Sequence, residues 1–411
     1  MHVCCRWRSL VFGSPHRLNL RLFCTSRTRA RDTLGVWPAL PLIIQCFGDL
    51  RIEKVDDIVA VLERSNRVCQ INLEVSSSHL EKVWAAMHVP FPELTSLCVT
   101  SKEETVAAIP DSFLGGSALR LQDLKLKSIP FPGLPNLLLS AVHLVDLSLY
   151  DIPHSRYISP GAMVIALSAL TSLRELHLGF QSPLSSLTGQ VDVRLLRHAW
   201  PSPFSHFFWF KGVGEYLEDL VASIDAPQLS LQITLFNQII FDTPQLNQFI
   251  SRTSTLKAPE TARVIFEYGV TASIELLSRT FVPGRLKVVI PCKNLDWQVS
   301  SLEQVCASCL PSLPTLEVLY ITEGTWGWGY QQDSVENTLW LELLRPFTGV
   351  KKLYLSETFA GIVGPALQEL GGRTTELLPS LQNFFCSGFK HQGLSRKTFS
   401  SSLPRDRPVT P

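Results

Sequence analysis

The sequence predicts an α/β solenoid, with parallel strands on its concave face and helices on its convex face, and three observations predict it. Leucine supplies 63 of the 411 residues, against 3 Met and 7 Tyr, so the apolar bias favours one side chain. A segment of the form L-x-x-L-x-L recurs as Val68/Ile71/Leu73, Leu94/Leu97/Val99, Leu121/Leu124/Leu126, Leu144/Leu147/Leu149 and Leu173/Leu176/Leu178. It returns as Leu316/Leu319/Ile321, Val350/Leu353/Leu355 and Leu381/Phe384/Cys386. Helix-start signals lie between several of these copies.

The copies begin 26, 27, 23 and 29 residues apart in the first half, and 34 and 31 apart near the C-terminus. This is leucine-rich-repeat spacing, slightly long and irregular, and it defines a leucine-rich-repeat-like solenoid over residues 32–389. Within each copy, x-L-x-L has the period of a strand with one face buried and one exposed, and the remainder returns the chain on the other side. Ser78 with Glu81 reads as a capping box ahead of Leu80, Val83, Trp84 and Met87, and Ser300 with Glu303 as another ahead of Leu302, Val305, Cys306 and Cys309. Ser159-Pro160 and Thr243-Pro244 each place a capping side chain before a proline at the first helical position. A single unit buries no core of its own, so neighbours must stack.

Residues 181–290 fit the template poorly. Leu229/Leu231/Ile233/Leu235 alternates like a strand but lacks the L-x-x-L lead, and units are expected to continue here in degenerate form. From Val191 to Phe210 the chain carries Arg194, Arg197, His198, Trp200 and Trp209 among many Phe and almost no acid. That composition suits an inserted segment and a misread stretch of gene equally. Residues 390–411 are polar, with Ser and Pro, and are expected to form a disordered tail.

Composition narrows the function classes. With 45% hydrophobic and 18% charged residues the chain has material for a sizeable core, and a net charge of +1 draws it to neither nucleic acid nor an acidic membrane. The 10 Cys are scattered and make no disulfide framework. The most apolar stretch, residues 134–150, is broken by Pro135, Asn136, His143 and Asp146, short of the roughly 18 apolar residues of a membrane span. Residues 1–31 hold seven Arg and no Asp or Glu, a composition also found in mitochondrial transit peptides. The expected location is cytoplasmic or nuclear.

No phosphate-binding loop, dinucleotide fingerprint, nucleophile elbow or H-E-x-x-H motif occurs, so the sequence points to no enzyme class, no cofactor and no metal. Cys306-x-x-Cys309 falls on the apolar side of an expected helix with Leu302, Val305 and Leu310, which makes both thiols core residues. Cys4-Cys5 with His2 or His16 lacks a second ligand cluster. His143 and His177 sit singly in the repeat, and Gly324 to Tyr330 reads as a glycine-rich loop at an edge of the solenoid.

The residues between the buried leucines carry more information, because alternation puts them on the open face of the sheet. Early units present Gln70, Asn72 and Glu74; Ser96 and Cys98; Asp123, Lys125 and Lys127; Asp146, Ser148 and Tyr150; Glu175 and His177. Late units present Val318 and Tyr320; Lys352 and Tyr354; Asn383 and Phe385. Aromatic residues on a solvated sheet are common anchors of protein interfaces. A partner-binding face is therefore expected around Tyr320, Tyr354 and Phe385, with Lys125, Tyr150 and His177 contributing and early charges orienting the partner.

Val3-Cys4-Cys5-Arg6-Trp7-Arg8-Ser9-Leu10-Val11-Phe12 resembles the last helix of an F-box, in which V-C-x-x-W-R-x-L precedes a short apolar strand. Together with Trp37-Pro38-Ala39-Leu40-Pro41-Leu42, Ser65-Asn66-Arg67-Val68-Cys69 and Pro110-Asp111-Ser112-Phe113-Leu114-Gly115-Gly116, it makes residues 3–389 similar to fungal F-box-like proteins with irregular leucine-rich solenoids. The resemblance implies an F-box remnant at 1–31, with Val3, Cys5, Trp7, Leu10 and Val11 facing a Skp-type adaptor, and the role of substrate-recognition subunit in an SCF-type ubiquitin ligase. The family's opening L-P-x-E helix would precede Val3, where two residues stand, so either the F-box is truncated or translation starts further upstream. A leucine-rich interaction protein without a ubiquitin role, or a non-functional paralogue, fits the truncated case.

Overall fold

The computed structural model describes residues 5, 6, 9, 13, 21–25, 27–30, 34–35, 39–47, 52–101, 108–131, 134–153, 158–181, 198–199, 206–226, 228–236, 241–267, 269–278, 284–310, 313–324, 335–369 and 374–387. The chain divides into two units, 1–229 and 230–411, each built of strands and helices. The tail expected at 390–411 and most of the F-box-like stretch lie outside the described residues.

In the first unit the strands lie side by side in chain order. They are β1 (Leu22–Thr25), β2 (Leu42–Cys46), β3 (Val68–Val75), β4 (Ser96–Ser101), β5 (Asp123–Lys127), β6 (Asp146–Ile152), β7 (Glu175–Phe180) and β9 (His206–Gly212). Every neighbouring pair is parallel. The two-residue strand β8 (His198–Ala199) pairs separately with β10 (Ile224–Asp225).

Register explains the core. Leu97, Leu124, Leu147, Leu176 and Phe208 form one lateral row and Val99, Leu126, Leu149, Leu178 and Phe210 the next, all at most 3% exposed. The return segments carry α1 (Ile52–Leu62), α2 (Ser77–Ala86), α3 (Leu134–Ser140), α4 (Pro160–Ala169) and α5 (Gly214–Ser223). α1 packs on α2, and α4 on both α3 and α5. Their buried sides include Val83 and Trp84, Met163 and Val164, and Leu217 and Leu220. Each fully buried aliphatic or Phe side chain contributes about 1.5–3 kcal/mol of transfer free energy, which parallel strands need on the helix-covered side.

Residues 206–210, placed by sequence in a doubtful segment, form most of β9. Phenylalanine takes the two core positions that leucine holds in the preceding strands, so the pattern continues under a different side chain. β1 and β2 likewise precede the first recognised copy, with Leu42, Ile44 and Cys46 buried.

The second unit departs from the expected all-parallel succession. Its strands are β11 (Leu229–Leu235), β12 (Thr261–Glu267), β13 (Thr271–Leu277), β14 (Arg285–Pro291), β15 (Val318–Glu323), β16 (Lys352–Ser356) and β17 (Asn383–Ser387), in the spatial order β11-β14-β13-β12-β15-β16-β17. β12, β13 and β14 form an antiparallel meander, flanked by parallel pairs to β11 and β15. The links explain the reversal: a parallel crossover takes about a dozen residues or more, and here β12 and β13 are joined by a turn in which Gly269 has φ +67° and Val270 N–H donates to the Glu267 carbonyl. Gln298 fastens the meander from α7 (Leu295–Ser308), its amide donating to the carbonyls of Cys292 at 2.7 Å and Glu267 at 3.2 Å.

The remaining helices of this unit are α6 (Pro244–Arg252), α8 (Asn337–Leu344), α9 (Glu357–Glu369) and α10 (Thr374–Leu377). α8 packs on both α7 and α9. Trp340 of α8, Phe359 of α9 and Phe266 of β12 meet at centroid distances of 5.0–5.7 Å in the core.

Capping differs from expectation at three of four sites. α2 starts at Ser77 behind Ser76, which places Ser78 inside the first turn. α7 starts behind Asn294, so Ser300 and Glu303 are mid-helix residues. Thr243 occupies its cap position, but its hydroxyl hydrogen bonds with Cys309 Sγ at 2.6 Å. Ser159 caps as expected, its Oγ accepting from Ala162 N at 3.2 Å. The last L-x-x-L-x-L copy also differs: in β17, the last strand of the described order, Phe384 and Cys386 are exposed. No helix among the described residues is long and apolar enough to cross a membrane.

The row argument predicts that Phe208→Ala lowers the unfolding free energy of the full chain by about 3–5 kcal/mol, while Phe208→Leu costs well under half of that, as read from urea titrations followed by circular dichroism.

Candidate functional site

In each unit the strand face away from the helices is polar and aromatic. In the first unit, register places Gln70, Ser96, Asp123, Asp146, Glu175 and Phe207 in one lateral row, and Asn72, Cys98, Lys125, Ser148, His177 and Trp209 in the next. Three carboxylates therefore stand on adjacent strands, about 4.8 Å apart.

Lys125 pairs with the middle carboxylate. Its ammonium lies 2.8 Å from Asp146 Oδ2, while Ser148 Oγ donates to Asp146 Oδ1 at 2.7 Å. Asp146 is only 8% exposed, and its hydrogen bond to Lys125 raises the lysine above its ordinary pKa. Burial, and then the neighbouring Asp146 carboxylate, push Asp123 above the usual carboxylate range. His177 Nε2 lies 3.7 Å from Glu175 Oε2, and ligand atoms of Asp146, Glu175 and His177 lie within 4.8 Å of one another. His177 is thus not isolated; its acidic neighbour Asp146 comes from the preceding unit, 31 positions back, where spacing along the chain shows no relation. The chemistry of the group is that of a cation site, and the Lys125 ammonium already supplies a positive charge to it.

At one side of this face Tyr150, His177, Phe207 and Trp209 form a ring cluster, with Tyr150–Trp209 centroids at 5.5 Å and His177–Phe207 at 5.3 Å. Gly179 makes room for it: a Cβ there would lie 2.8 Å from the Trp209 ring. Beside the cluster a bulge interrupts the β6–β7 ladder after Leu149, and Asp151, at φ +52°, meets Lys127 and Lys211 at 3.8 Å each. The alternation of His206 to Gly212 is the signal that identifies Phe207 and Trp209 as face residues.

In the second unit, Tyr320, Tyr354 and Phe385 are in register on three parallel strands. Their rings stack at 4.6 Å and 4.5 Å, with planes inclined by 15° and 10°. The Arg263 guanidinium lies 5.9 Å from the Tyr320 ring centroid, on the strand that the meander places alongside β15. The row continues through Glu275 and Lys287, and the Glu275 carboxylate, 5% exposed, pairs with Arg285. The alternation of Thr261 to Glu267 marks Arg263 as a face residue, but its place beside Tyr320 depends on the strand order.

Of the residues expected to face an adaptor, Cys5 is exposed, whereas Val3, Trp7, Leu10 and Val11 lie outside the described residues, as does most of the glycine-rich loop after Gly324. Cys306 and Cys309 are buried, and burial raises the Cys306 thiol far above its ordinary pKa, which keeps it protonated and unreactive.

Two predictions follow from the carboxylate row. Lys125→Met leaves Asp146 with the Ser148 hydroxyl and without its countercharge, which is expected to cost about 1–2 kcal/mol in a urea titration. A folded-state pKa above the unfolded one means that Asp123 ionisation opposes folding, and that this opposition fades as pH falls through the window between the two. Asp123→Asn should therefore unfold at a higher temperature than the wild type at about pH 7 and at the same temperature at about pH 3. No family model matches the chain, and no curated protein matches it.

Proposed function

We propose that the chain is a leucine-rich-repeat-like solenoid that acts as a protein-binding scaffold and recognises its partner on the open strand faces. The observation that carries this reading is the in-register stack of Tyr320, Tyr354 and Phe385 on a face that no described helix covers. Three half-buried rings held by a sheet lose little conformational entropy when a partner packs on them, which makes them efficient anchors. Two cavities among the described residues, one lined by Leu126 and Phe131 and one by Cys24 and Ile44, have volumes of about 10 Å³ each, the space of roughly one water molecule.

The resemblance of residues 3–12 to an F-box helix extends the proposal: the scaffold is the substrate-recognition subunit of an SCF-type ubiquitin ligase, with a Skp-type adaptor at residues 1–31 and an unidentified protein substrate on the solenoid. In this role it positions a bound protein and makes no bonds itself.

The test is a pull-down with a Skp-type adaptor of the protein encoded by the transcript, sequenced from its 5′ end. Retention of the adaptor, lost on Trp7→Ala, is the expected result. A protein that leaves the adaptor in the unbound fraction would remove the ubiquitin role and leave the scaffold.

A further inference from the structure

We infer that the open face of the second unit docks an acidic segment of a partner protein, with its carboxylates over Arg263 and Lys287 and a neighbouring apolar side chain on the rungs of Tyr320, Tyr354 and Phe385. The inference rests on the protein-binding reading above and adds the chemistry of the partner.

Charge is the first argument. On the described strands of this face stand Arg263, Arg285, Lys287 and Lys352, against the carboxylates of Glu267 and Glu275. The Glu275 carboxylate is buried and pairs with Arg285, and Glu267, at the far end of β12, accepts from the Thr271 hydroxyl. Among the described residues Arg263, Lys287 and Lys352 make no ion pair, and Arg263 and Lys287 lie directly across the ladder from Glu275 on either side. The face is therefore short of negative charge, and a partner's carboxylates complement it.

Geometry is the second. The row Lys287, Glu275, Arg263, Tyr320, Tyr354, Phe385 crosses six adjacent strands, a span of about 24 Å at about 4.8 Å per step. An extended segment laid across the strands covers this with about seven residues at about 3.4 Å each. Arg263 and Tyr354 are two strands apart, which places the partner's acid about three residues from its apolar anchor.

The rings also discriminate between partner classes. Each pair of ring faces is closed by stacking at 4.5–4.6 Å, so no base can enter between them, and their edges are what an approaching chain meets. Single-stranded nucleic acid binds by stacking bases on free aromatic faces, which this arrangement withholds from the middle rung.

The test presents the full chain to a library of short random peptides and measures binding of the selected sequences by fluorescence anisotropy. The expected sequences pair Asp or Glu with an apolar residue about three positions away, and bind about tenfold more weakly to R263Q/K287Q and at raised salt. Lys352→Glu, remote from Glu275, should weaken binding severalfold even if the double variant folds poorly; melting temperatures identify that case. Selected peptides without acids, or ones that bind both variants like the wild type, would overturn the acidic partner and leave a protein-binding scaffold. Tighter binding of a labelled oligothymidylate than of any peptide would also overturn it. Enrichment no greater than on heat-unfolded protein would sink the inference and the scaffold reading together.

Discussion

Lateral register is the constraint on which the structure depends. In a parallel ladder each residue stands beside its counterpart in the next strand, so a single choice of register decides which residues of every unit meet the helices and which remain open. In the first unit that choice puts Leu124, Leu147, Leu176 and Phe208 in one row, and with equal necessity puts Lys125, Ser148, His177 and Trp209 in the adjoining row on the other side. Core and face are two consequences of the same hydrogen bonding. A one-residue slip would bury Lys125 and expose Leu124, so burial of the leucines enforces the geometry of the polar face as strongly as that of the core.

The meander shows how a local change in connection alters a face without altering the core logic. β12 and β14 alternate in burial while β13 is buried from Ala272 to Leu276, and Val264, Ile274 and Val288 share the core row across the three. Their short links forbid parallel crossovers, so the chain doubles back and β12, first of the three in sequence, becomes the neighbour of β15. Arg263 then stands beside Tyr320, 57 positions away in the chain, and the aromatic stack gains a cationic end. Gln298 stabilises the arrangement by satisfying carbonyls at the ends of the reversed segment, which ties the meander to α7.

Those parts of the fold set by period alone could be read from the sequence. The copies from Val68 to Leu178 and from Leu316 to Leu355 form strands where the L-x-x-L-x-L pattern places them, because alternation is a local property. β9 was not legible because His206 to Gly212 alternates without the L-x-x-L lead and follows a stretch rich in Arg and aromatic residues, although Phe208 and Phe210 fill the core rows. The capping boxes at Ser78 and Ser300 misled because a Ser or Thr three positions before a Glu also occurs within helices, and tertiary packing of Leu295 and Val299 decides where α7 begins. For the candidate faces, the residue types were legible and their company was not: Asp146 with His177, or Arg263 with Tyr320, are neighbours only through strand order, which a one-dimensional pattern does not encode.

Net charge illustrates the same limit. A total of +1 argues against a uniformly basic or acidic surface but says nothing about its distribution. On the open face of the first unit the described strands place Glu74, Asp123, Asp146, Asp151 and Glu175 against Lys125, Lys127 and Lys211, an excess of carboxylates. On that of the second, Arg263, Arg285, Lys287 and Lys352 outnumber Glu267 and Glu275. Each face is stable for its own reason: Lys125 pairs with Asp146 beside Asp123 in the first, and Glu275 lies among Arg263, Arg285 and Lys287 in the second, so a single countercharge offsets like charges on neighbouring strands. Such an arrangement leaves a residual field of one sign at the surface, and a field over a row of fixed aromatic side chains favours partners by charge before contact and by shape after it.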